Sequence, residues 1–330
     1  MRHLPALLAA ALLTAGPAVA APRVIASVVP VQSIVAAVMG DKGTPELLLQ
    51  GSMSEHRAVF TPAQIASLGS ADLVFIVGHG LEAKLAQMSG SDAVNGKRFV
   101  ELSEAPGVTT LPIRQGGSWE AHDHAHEDGH EDGHKDGHKD GHKDEGAAAA
   151  HDHAAEGVLA FDPHVWLDPD NAKAMARQVA AELGKADPAN AAAYDANASA
   201  FATDIDGTSA RIAAELAPVK DKPFIVFHDA YHYFERHFGL SGAGSISDVS
   251  AQAPSAERLA QVRDKISAVK AACVFREPQY DGKVVATVIE GTGAKEGVLD
   301  PLGAGLDPGP QAYQQLLTKL ADALRDCLSG

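Results

Sequence analysis

Asp187-Pro-Ala-Asn-Ala-Ala-Ala-Tyr-Asp-Ala-Asn-Ala-Ser-Ala-Phe-Ala-Thr-Asp-Ile-Asp-Gly-Thr-Ser-Ala-Arg-Ile-Ala-Ala-Glu-Leu-Ala217 is the stretch on which the fold turns. Asp187-Pro188 opens a helix, and the Ala-rich run behind it contains no further Pro and only one Gly, Gly207. At 1.5 Å per residue, the roughly thirty residues from 188 to 217 extend about 45 Å. That is longer than a small domain is wide. The helix therefore reads as a spine between two domains, not as an ordinary crossover.

On both sides of this spine, short apolar runs alternate with segments of helical spacing. Before it, residues 23–29, 46–49, 71–77 and 97–102 read as strands, and 30–39, a segment opened by Thr61-Pro62, and 81–88 as helices. Asp168-Pro-Asp-Asn171 caps a further helix running to about Leu183. After the spine the pattern repeats. Strands are expected at 223–227, 239–247, 272–275 and 297–299. Helices are expected at 255–269, 311–328 and from His228 through Phe238, with 283–289 a further segment of undecided type. Alternation of this kind gives βαβ units and parallel sheets. The expected architecture is α/β: an N-terminal parallel-sheet domain over 22–187, the rigid linking helix over 188–217, and a C-terminal parallel-sheet domain over 218–330. Ligands of open parallel sheets bind outside the carboxyl ends of the strands. His56, His164, His228 and Asp300 all fall at such ends or in loops, and that convergence is the central structural expectation.

Residues 1–21 read as a signal peptide: Arg2 and His3, an apolar run of about ten residues, then Ala18-Val19-Ala20 as a cleavage signal. The mature chain is then exported and soluble. In that compartment Cys273 and Cys327, the two cysteines of the chain, are expected to pair as one disulfide. Ligation of a metal by both is the alternative, but neither has a His or Cys neighbour. Net charge is −16. That field argues against a nucleic-acid partner and for a cationic one.

Much of the charge sits in residues 118–157, with twelve acids and three lysines, a net of −9. Nine of the sixteen histidines lie between His122 and His153, spaced by Asp, Glu, Gly and Lys. No residue there is aromatic or β-branched, so the tract cannot offset its ordering entropy and is expected to be disordered. His at this density is the compositional mark of metal binding. Eleven residues after the tract comes His164 in a different setting, among apolar residues and turn formers.

Four motifs carry a resemblance. Ser54-Glu-His56, Asp162-Pro-His164-Val-Trp-Leu-Asp-Pro169, Phe227-His228-Asp-Ala-Tyr231 and Leu299-Asp300-Pro-Leu-Gly303 resemble the metal-site motifs of the metal-receptor family of bacterial ABC importers. Together with the His-Asp-rich tract and the two cysteines, they are most similar to its ZnuA-like periplasmic zinc receptors. The resemblance implies two α/β domains joined by a long helix, Zn²⁺ held in the cleft by His56, His164 and His228, and delivery to a membrane permease of a zinc ABC importer. It also implies a periplasmic location, and a monomer is expected. Three imidazoles and one oxygen are a usual zinc set; a carboxylate at 228 would suit the harder Mn²⁺, whereas His228 favours Zn²⁺ and also Cu²⁺ or Ni²⁺. The fourth ligand stays open between Glu55, water and Asp300. Where relatives often carry a Tyr soon after the first His, this chain has Arg57-Ala58-Val59-Phe60.

Two other readings compete. His228-Asp-Ala-Tyr-His232 is similar to the H-E-x-x-H helix of zinc hydrolases, with Asp one methylene short of the general base. A stand-alone periplasmic zinc buffer or chaperone would need the same ligands and no permease. His79, His232 and His237 are expected to be structural or surface residues.

Overall fold

The computed structural model describes residues 21–50, 53–78, 80–89, 98–114 and 160–330. The expected signal peptide, the His-rich tract and His79 therefore lie outside the described residues, save Ala21.

Each half is built on four parallel strands. β1 (Val24–Ala26), β2 (Glu46–Leu47), β3 (Leu73–Ile76) and β4 (Arg98–Glu101) form a sheet of order β2-β1-β3-β4. β5 (Phe224–Val226), β6 (Gly242–Ser245), β7 (Cys273–Arg276) and β8 (Lys295–Val298) repeat that order as β6-β5-β7-β8. The strand order reverses at β1/β3 and again at β5/β7, so each sheet presents a crevice at the carboxyl ends of those strands. The central strands β1, β3 and β5 are apolar throughout (Leu73-Val-Phe-Ile76 is wholly buried), as sheets covered on both faces require.

The helices are α1 (Val29–Met39), α2 (Pro62–Ser70), α3 (Ala83–Ser89), α4 (Pro169–Ala186), α5 (Ala191–Leu216), α6 (His232–Phe238), α7 (Ala256–Val269), α8 (Lys283–Ile289) and α9 (Ala312–Leu328). Local chemistry starts several of them. Thr61 and Gln64 form a reciprocal capping box before Pro62, Asp168 accepts from the Asp170 N–H, and Ser255 accepts from Arg258 N–H.

The spine is α5, shorter than expected because residues Pro188–Asn190 form a separate 3₁₀ turn. Its 26 residues span about 39 Å. Its buried stripe is Tyr194, Ala198, Phe201, Ile205, Thr208, Ile212 and Leu216, the three- and four-residue steps of one helix face. That stripe meets α1, α4 and α9. One apolar core consequently runs from β1 and β3 through α5 to β5 and β7. Smaller clusters cover the outer faces of the two sheets. The spine is thus a strut packed inside a shared core, so the halves cannot rotate apart without breaking that core.

Cys273 on β7 and Cys327 on α9 are disulfide-bonded, at a sequence separation of 54. Closing a loop of that length removes unfolded-state entropy worth about 4 kcal/mol. Reduction is expected to lower unfolding stability by about that amount, read as a drop in the urea midpoint with and without reductant.

Candidate metal centre

The crevices of the two sheets face each other, and four side chains converge between them: Glu55, His56, His164 and His228. One ligand atom from each lies within 4.8 Å of every other. Glu55 and His56 stand on a single 3₁₀ turn, Glu55–Arg57, in the loop after β2. His164 precedes another short 3₁₀ turn, Val165–Leu167. Trp166 of that turn locks it by donating its indole N–H to Pro301 O at 2.9 Å. His228 stands two residues beyond the end of β5.

The rings of the last two are aimed by carboxylates. Asp162 Oδ1 accepts from His164 backbone N–H at 3.0 Å and from its Nδ1 at 2.8 Å. Glu277, at the end of β7, accepts from His228 Nδ1 at 2.7 Å. With both Nδ1 atoms turned to carboxylates, both Nε2 atoms are left toward the cleft. Those two nitrogens are 3.2 Å apart. Two nitrogens each bound about 2.0–2.1 Å from a tetrahedral zinc stand about 3.3 Å apart. Glu55 Oε1 is 3.6 Å from His56 Nε2 and 4.0 Å from His164 Nε2. It is also a buried carboxylate oxygen with no hydrogen-bond partner. Such an atom is costly unless something cationic occupies the space it faces.

Burial governs the charges. Glu55, His164 and His228 are 3%, 0% and 1% exposed. Burial lifts the Glu55 carboxyl to about 7, with His228 opposing. Burial, then the neighbouring His228, drives His164 well below the usual imidazole range. Burial also works against the His228 proton, but Glu277 outweighs it and holds that ring at about 8. The metal-free site thus keeps one neutral imidazole, one protonated imidazole and a carboxyl near its midpoint at neutral pH.

Asp300 stands apart. Its Oδ1 accepts from Gln279 Nε2 and from the N–H groups of Leu302 and Gly303, and its Oδ2 from Ala304 N–H. A carboxylate so occupied caps its own turn. His237 bonds Ser209 and Asp168. His232 lies with Nδ1 3.8 Å from Asp162 Oδ2, outside the four-residue group.

The expectation of a helix beginning at His228 is corrected: α6 begins at His232. His228 and His232 therefore do not share a helix face as a zinc hydrolase motif requires. Asp229, the would-be base, is gripped by Arg114 Nε at 3.0 and 3.1 Å. Sequence reasoning missed Arg114, Glu277 and Tyr280. It quoted Asp162 only as part of a motif, although the Asp-x-His spacing lets one carboxylate reach both the backbone and the ring of His164.

The family model for ZnuA, the periplasmic component A of the zinc-uptake complex, matches residues 24–327. The high-affinity zinc uptake system protein ZnuA of Brucella suis biovar 1 is 49% identical over 306 residues, 93% of this chain and 91% of that protein. Its counterpart from Paracoccus denitrificans is 42% identical over 326 residues, 98% of this chain and 97% of that one. A crystal structure of ZnuA superposes with a TM-score of 0.70 at 26% identity, covering 92% of this chain and 99% of that one. A zinc-bound ZnuA deletion mutant superposes at 0.71 and 25% identity, covering 94% and 99%. The chain belongs to the ZnuA family, the periplasmic components of zinc-uptake complexes, which are binding proteins and not enzymes.

Proposed function

We propose that the exported chain captures Zn²⁺ in the interdomain cleft through His56, His164, His228 and Glu55, and delivers it to the membrane permease of an ABC-type zinc importer. The observation that carries this reading is the convergence of three imidazoles on a buried, unpartnered Glu55 oxygen. Glu55 is the fourth ligand in this reading, because the Asp300 oxygens already hold four donors. Residues 118–157 act as an accessory collector. Their net charge of −9 raises the local cation concentration, an effect that salt weakens.

Calorimetry on a variant lacking residues 122–153 tests both parts. One tight zinc per chain is expected to survive, while the weaker ions are lost. A metal in the tract must order the chain at about 1–2 kcal/mol per residue fixed, which keeps those sites weak. If the tight site disappears with the tract, the cleft is not the site. Restoration of zinc uptake in a receptor-deleted strain tests delivery. A protein that binds zinc but restores nothing is a buffer.

Zinc must displace protons from this site, because a ligand imidazole has to be neutral. His228, with its pKa raised to about 8, is protonated below that pH, and Glu55 adds a proton below about 7. Affinity is therefore expected to fall as pH drops through 8, and more steeply below 7. About one to two protons should be released per zinc near neutrality. Calorimetry in buffers of different ionisation enthalpy counts them, and a proton count of zero would contradict histidine ligation.

A further inference from the structure

The turn that carries two of the four ligands borders open space within its own half. Ala58 is buried behind it, but Val59 is 68% exposed. A cavity of about 330 Å³ lies on its N-terminal side, lined by residues that include His56, Ala58, Phe60, Glu82 and Leu85. Ser54 occupies the N-cap position of the turn, where a serine hydroxyl ordinarily accepts from a backbone N–H of the turn it starts. Here it makes no cap bond. The hydroxyl points across the cleft and lies 3.1 Å from the Tyr280 hydroxyl.

Tyr280 is built to receive it. Its ring stacks on Phe227, with centroids 4.7 Å apart and planes 21° from parallel. It meets the His228 ring edge-on at 5.8 Å. Its N–H donates to Glu277 O, so it belongs to the same turn that supplies the His228 carboxylate. One turn of the C-terminal half therefore both orients His228 and reaches the ligand turn of the N-terminal half.

We propose that Tyr280 is a positioning residue, a clasp that holds Glu55 and His56 over His164 and His228 through Ser54 and thereby slows zinc release. This rests on the cleft reading above. The shared core leaves no easy hinge between the halves, so access to the site is a matter of local movement, and the ligand turn is the loosely packed element at its rim. Tyr280 touches no metal in this scheme. It acts by keeping two ligands in place.

The test uses the full chain and Zn²⁺ itself, with Y280F, S54A and the double variant. Phenylalanine keeps the stack on Phe227 and removes only the hydroxyl. A single neutral hydrogen bond corresponds to about three- to tenfold in an equilibrium or rate. Rapid mixing of the zinc-loaded proteins with excess EDTA is expected to show release about three- to tenfold faster in each single variant. The double variant should be no faster than either single, because both delete the same bond. Metal-free melting temperatures should fall by no more than about 2 °C, the cost of one neutral hydrogen bond in a chain of this size, whereas loss of packing around the ring would cost several times that. Zinc stoichiometry is read in parallel. Failure of the wild type to hold one tight zinc defeats the cleft reading. Tight 1:1 binding with unchanged release in Y280F and S54A, additive effects in the double variant, or a metal-free melting temperature lowered by well over about 2 °C in Y280F overturns the clasp alone.

Discussion

Zinc affinity is expected to fall by about two to three orders of magnitude in His164→Ala. Apparent free energies of about 10–16 kcal/mol for tetrahedral zinc sites, spread over four ligands, assign roughly 3–4 kcal/mol to each. His164 is the most completely enclosed of the three imidazoles, with Asp162 fixing its ring on one side and Trp166 standing 5.3 Å away on another. Neither neighbour can move in as a ligand, since Asp162 is turned to Nδ1 and the indole is a donor. Water is the only replacement. His228→Ala and His56→Ala should act in the same direction. Asp162→Ala, which leaves the ring but frees its tautomer, should cost less, about 10- to 100-fold. Competition against a chromophoric chelator measures all four. Wild-type affinity in all three histidine variants would end the assignment, whereas His237→Ala, remote from the cleft and bonded to Ser209, should leave affinity unchanged.

The three histidines were legible in the sequence because each sits in a short motif whose neighbours are also fixed: Pro163 and Trp166 around His164, Phe227 before His228. The paired α/β halves and the spine were legible because strand and helix periods are local. The fourth ligand was legible only as a leaning toward Glu55 or water over Asp300, since both residues are carboxylates in loops and the difference lies in which one already has donors. The start of α6 was misread for a related reason. His228-Asp-Ala-Tyr231 contains no breaker, so its pattern runs on into the helix. Tertiary bonds win instead: His228 is drawn to Glu277 and Asp229 to Arg114, and the backbone folds tightly, with Ala230 N–H on His228 O. The N-terminal boundary of α5 was placed early because Pro188 is as good a start for a 3₁₀ turn as for a helix.

Arg114 left no local trace at all, since its partners are 115 and 121 residues away. It nevertheless anchors the chain just before the His-rich tract. Its guanidinium, 11% exposed, bonds both oxygens of Asp229 and reaches Glu235 Oε2 at 2.6 Å. Asp162 lies within its electrostatic reach as a third carboxylate. The two ends of the tract are stitched beside it: Asp162 N–H donates to Leu111 O, Leu111 N–H donates to Tyr233 Oη, and Tyr233 donates to Asp162 O. One cation serving several buried acids is under strength. Burial first, then the adjacent acids, lifts Asp229 to about 7 even with Arg114 opposing. Arg114→Ala removes the guanidinium from this group and leaves buried carboxylates without their ion-pair partner, at a cost of about 3–5 kcal/mol. The sign of its pH dependence follows from the same shift. A carboxyl raised in the folded state binds more protons folded than unfolded between its unfolded value near 4 and its folded value near 7, so it destabilises increasingly as pH rises through that window. Without Arg114 the shift grows. The loss in Arg114→Ala should accordingly be larger at pH 8 than at pH 5, where the acids can take up protons. Urea unfolding of the metal-free protein at the two pH values measures it. A loss that is equal at both, or greater at pH 5, would show that Arg114 contributes packing and not charge.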